Sequence, residues 1–88
     1  MSRPESSAEQ KAQGYALGQI VQQLRLPRTS EWLANAAGVS VDTLRRIESG
    51  KVGSPGVFLV ARLSGALGVT MDELLRLVSK QVKRKETN

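Results

Sequence analysis

Thirteen Lys and Arg side chains stand against eight Asp and Glu in this 88-residue chain, a net charge of +5 with a pI near 10.3. The chemistry open to such a set is the holding of polyanions, nucleic acid before an anionic membrane surface. The cations are not spread evenly. Residues 76–88 carry Arg76, Lys80, Lys83, Arg84 and Lys85 against Glu86, a net +4. Residues 25–51 carry Arg25, Arg28, Arg45, Arg46 and Lys51 against Glu31, Asp42 and Glu48, a net +2. Reactions are poorly served by comparison. The chain has neither His nor Cys, so imidazole acid–base work, thiolate attack, disulfides and zinc fingers are excluded. The carboxylates are scattered, and most have a capping or pairing explanation. No enzyme activity, metal site or cofactor is expected.

Helices are expected to carry these charges. One small domain with a modest core is all that the length allows. No apolar run approaches the ~20 residues that span a bilayer, and the polar start lacks a signal-peptide core, which predicts a cytoplasmic protein with no membrane partner. Residues 1–14 read as a flexible N-terminal arm that turns helical toward its end, 15–78 as the folded domain and 79–88 as a basic C-terminal tail. From Tyr15, the apolar residues Ala16, Ile20 and Leu24 recur every four positions until Pro27. Thr29 caps a second helix with Leu33, Ala36 and Ala37 on its inner side, and Gly38 ends it. Ser40 caps a third, with Val39 and Leu44 spaced as a hydrophobic staple across the cap, and Gly50 ends that one. Ser54-Pro55 predicts the start of a fourth helix, with Val57, Val60, Ala61, Leu63 and Leu67 inward and Gly68 as its stop. Thr70 and Glu73 form a capping box for a fifth, through Leu74, Leu75, Leu77 and Val78. No strand alternation occurs. The fold class is all-α.

Within this plan, SEWLANAAGVSVDTLRRIES (30–49) has a distinctive pattern. Leu33, Val39, Leu44 and Ile47 join two short helices to one core. Ala34 permits close approach, and Gly38 makes the turn that a steep helix crossing requires. On the third helix, Leu44 and Ile47 define the inward direction. At 100° per residue, Asp42, Arg46 and Ser49 then point away, with Arg45 on a flank and Val41, Asp42 and Thr43 in the first turn.

LGQIVQQLR (17–25), EWLANAAGVSVDTLRRIESGK (31–51), the pair Ser54-Pro55 and ARLSGALGVTMDELL (61–75) resemble the Cro/phage-repressor type of helix-turn-helix proteins, the XRE family. The likeness covers residues 17–78. It implies a compact five-helix, lambda-repressor-like domain whose helices 2 and 3 form the helix-turn-helix. It further implies a homodimer bound to double-stranded DNA, with helix 3 in the major groove. A transcriptional regulator, a repressor above all, follows, lodged at the nucleoid when bound. The alternative is an antitoxin or co-regulator that chiefly binds another protein.

By the same resemblance Val41, Asp42, Thr43 and Arg46 are the base-reading positions. Arg46 suits the two guanine acceptors, Asp42 the cytosine amine, and Val41 and the Thr43 methyl suit thymine methyls. Asp42 and Arg46, four apart, have a plainer alternative as a surface ion pair. Ser30, Arg45 and Lys51 are phosphate candidates. Arg25 and Glu48 match positions that pair inside the fold and are assigned to structure. Ser30 stands where a longer-reaching glutamine is common, and Gly53 and Gly56 stand where basic residues are common, so the basic tail is expected to supplement phosphate contacts. Trp32 is expected under the arm or the fourth helix, with a second protein as the alternative. Phe58 and Leu59 are expected to be partly exposed, and helix 5, with Leu75, Val78 and Val82, to form the dimer interface, the alternative being that these side chains finish the core.

Overall fold

A computed structural model describes residues 8–86, with side chains to residue 84. Five helices follow one another: α1 (Ala8–Arg25), α2 (Ser30–Ala37), α3 (Val41–Glu48), α4 (Val57–Leu67) and α5 (Met71–Glu86). No strand occurs among the described residues. The five α-helices expected from the capping signals are all present.

Each helix sends at least one large apolar side chain to a common centre. Val21, Leu33, Leu44, Ile47, Leu63 and Leu74 are essentially inaccessible to solvent, and each Leu or Ile so buried contributes roughly 1.5–3 kcal/mol of transfer free energy. α5 packs along α1, α4 against α2, and α3 against both α1 and α2. One face of α3 is thereby committed to the core and the other is left outside.

The boundaries differ from expectation at three places. The arm assigned to residues 1–14, expected to turn helical toward its end, is helix from Ala8; its first seven residues lie outside the described part. Ala8, Glu9, Gln10, Lys11, Ala12 and Gln13 are good helix formers, and Gly14 does not break the helix because its role is close approach. A Cβ at Gly14 would fall 2.5 Å from the Val52 carbonyl oxygen, and one at Gly18 would fall 2.4 Å from that of Ile47. The two glycines, one turn apart, let α1 lie directly on the last turn of α3 and on the backbone that follows it.

The basic tail assigned to 79–88, into which the helix 5 strip was expected to run as far as Val82, is helical to Glu86. Val82 continues the inward stripe of Val78, and the Gln81 side-chain amide donates to Gln19 Oε1 at 2.7 Å. α4, in turn, begins at Val57 with Gly56 as N-cap, not at Ser54-Pro55. Gly53 packs on Gln10 and Val52 on Gly14 of α1, so residues 54–56 are needed to carry the chain from there to α4. Val57, expected inward, is consequently 59% exposed in the first turn.

Candidate nucleic-acid interface

The unit formed by α2 and α3 is set by its caps. Thr29 Oγ1 accepts from the Trp32 N–H at 3.0 Å and Ser40 Oγ from the Thr43 N–H at 3.1 Å. Between the helices Gly38 takes φ +73°, a left-handed conformation that disfavours side chains, and the Val39 N–H returns to the Ala34 carbonyl at 2.9 Å. Ala34 is buried at the crossing. At the far end of α3, Gly50 (φ +80°) turns the chain, and the Lys51 N–H donates to the Arg46 carbonyl at 3.1 Å. The helix is thus held at both ends.

Beneath it lies a polar clasp. Arg25 Nε donates to Glu48 Oε2 at 2.7 Å and Nη2 to Oε1 at 3.2 Å, with both side chains largely buried. The Gln22 side chain donates to the Glu48 backbone carbonyl at 2.8 Å, so α1 grips the last turn of α3 twice. Ser30 Oγ donates to Glu48 Oε1 at 3.2 Å. Arg25 and Glu48 are therefore joined inside the fold. Ser30, singled out as a phosphate contact, is turned inward instead, because its short hydroxyl reaches the clasp carboxylate.

Leu44, Ile47 and Glu48 face inward on α3, while Asp42, Arg45 and Arg46 are exposed. Asp42 and Arg46 share the centre of the outer face and make no ion pair with each other among the described residues. Val41 and Thr43 flank them, half-buried. Val41 rests partly on the core, and Thr43 Oγ1 accepts from Ser40 Oγ at 2.8 Å. Lys51 is exposed just past the turn. Arg45 reaches sideways to α2, where Nη2 donates to Glu31 Oε2 at 3.0 Å. That pairing was not anticipated from the sequence: its partners are 14 positions apart, and only the helix crossing brings them together.

Trp32 lines a small cavity together with Ala66 and Leu67 of α4, and the Arg28 guanidinium lies 4.2 Å from its ring centroid, a cation–π arrangement. Phe58 is 80% exposed, more than expected, while Leu59 is half-buried. At the head of α5 the capping box closes as expected: the Thr70 N–H donates to Glu73 Oε1 at 2.9 Å and the Glu73 N–H to Thr70 Oγ1 at 3.0 Å. The Thr70 N–H, then its hydroxyl and Arg76, hold the Glu73 carboxyl below its ordinary range.

Two short helices crossing through a left-handed glycine, the second with a charged outer face clamped from beneath, define a helix-turn-helix protein. The sequence agrees. The helix-turn-helix domain family matches residues 16–77, and the chain belongs to that family. No curated protein matches it in sequence. Among solved structures it is similar to the clp gene regulator ClgR from Corynebacterium glutamicum, with a TM-score of 0.78 and 25% identity over 85% of this chain and 81% of that one.

Proposed function

We propose that this protein is a sequence-specific DNA-binding transcriptional regulator of the Cro/phage-repressor (XRE) kind, a repressor that binds its operator as a homodimer. The observation that carries the reading is the outer face of α3, where Asp42 and Arg46 are exposed and unpaired with each other while the helix is fixed at both ends. An α-helix fits the major groove, where every base pair shows its own donor–acceptor pattern. Arg46 is assigned to a guanine, Asp42, Thr43 and the exposed part of Val41 to neighbouring bases, and Lys51 and Arg45 to phosphates. The similarity to a gene regulator supports the same reading. It is a binding protein rather than an enzyme, and its place of action is the cytoplasm, on the nucleoid. No helix among the described residues is long and apolar enough to cross a membrane.

The dimer is assigned to α5. Leu75, half exposed, borders an open groove of about 910 Å³ between α1 and α5, floored by Leu17, Val60 and Val78. Two copies would place their α3 helices about one helical turn, ~34 Å, apart on the duplex. Selection of bound DNA from a random pool tests the whole reading: a palindromic site with that spacing is expected, and recovery of unenriched sequence overturns it. The second reading, a module that mainly binds another protein, draws on the exposure of Phe58. A stoichiometric copurifying protein, together with sequence-independent DNA binding, would favour it.

A further inference from the structure

At the seam between α2 and α3 the protein already carries an anion of its own. Glu31 lies in the first turn of α2, where unpaired backbone N–H groups and the helix dipole favour negative charge. Its carboxylate accepts from Arg45 at 3.0 Å. An arginine from α3 meeting an anion at the head of α2 is the arrangement a DNA phosphate oxygen would require. Both side chains remain open to solvent, at 60% and 62% exposure, so a phosphate can approach and the pair is cheap to open.

We infer that Glu31 is a built-in competitor for phosphate: it occupies the Arg45 guanidinium in the free protein and must be displaced when DNA is bound, which lowers affinity. The inference rests on the DNA-binding reading above. Two physical effects oppose each other here. Occupation of Arg45 costs binding, whereas a carboxylate that holds the guanidinium in its bound orientation would aid it. Occupation dominates because an exposed pair leaves the arginine little restricted, while a phosphate must still take the carboxylate's place on the guanidinium.

The experiment measures binding of the full chain to a random-sequence duplex of about 30 bp across a salt series, for wild type, Glu31→Gln, Arg45→Ala and the double variant. Glu31→Gln is expected to tighten binding about two- to five-fold and to steepen the salt slope by about one. In the Arg45→Ala background the gain should vanish. Weaker binding by Glu31→Gln, or an undiminished gain without Arg45, overturns the inference, the latter by reducing it to general charge repulsion. Glu31→Ala, with melting curves for every variant, guards against a folding defect. Absence of any duplex binding by wild type defeats the regulator reading as well; binding with an additive cycle defeats only the competitor.

Discussion

Two arginine–glutamate pairs anchor α3 to its neighbours, and burial divides their roles. Arg25–Glu48 has side chains 13% and 8% exposed; Arg45–Glu31 has 60% and 62%. In the first, the Glu48 carboxylate takes two bonds from Arg25 and one from Ser30, so water has little share in it. Removing one partner strands the other in a medium that solvates charge poorly. In the second, water takes over as soon as the pair opens. The same two residue types therefore serve as a lock in one place and as an exchangeable contact in the other.

The largest effect expected from breaking this contrast is on the buried side. Glu48→Ala should cost about 3–5 kcal/mol of stability, read as a lowered denaturation midpoint; an unchanged midpoint would show that Arg25 is solvated without its partner. Next comes the backbone seat beside that pair. Gly18→Ala places a methyl 2.4 Å from the Ile47 carbonyl oxygen and 2.7 Å from that of Glu48. Backbone must shift, at about 3 kcal/mol, and a variant as stable as wild type would refute the close approach.

On the exposed side the effects move from folding to binding. Arg46→Ala should weaken operator binding by about 1–3 kcal/mol and relax preference at one base position, leaving the melting temperature nearly unchanged. Smaller still is the capping box. Thr70→Ala should cost about 1 kcal/mol. Because the Glu73 carboxyl is held below its ordinary range, its contribution is fully present above the unfolded-state value and fades as pH falls through the folded one. The melting difference between wild type and Glu73→Gln should accordingly close at acid pH; a pH-independent difference would assign it to something other than the charge. Least of all, breaking Arg45–Glu31 should alter stability by no more than about 1 kcal/mol, even where it alters binding to DNA.

Much of the fold was legible because it rests on local chemistry. Thr29, Gly38, Ser40, Gly68 and the Thr70–Glu73 box act within a turn of where they stand, and each does what its residue type predicts. The misread boundaries all depend on distant chain. Gly14 reads as the end of an arm until Val52 is seen against it, and Ser54-Pro55 reads as a helix start until residues 52–53 are found pinned to α1. Ser30 shows the same dependence within the candidate site. Its position at the head of α2 suggests a phosphate, and only the arrival of Glu48 beneath it turns the hydroxyl inward.

By itself, the sequence determined five helices, the turn between α2 and α3, and an α3 whose apolar residues leave Asp42 and Arg46 on the other side, since caps and periodicity operate over a few residues. Where α1 begins, and that Arg45 holds Glu31, became visible only in the folded molecule. Those outcomes hinge on contacts between segments far apart in the chain, where burial sets the strength of a charge pair and no local pattern records it.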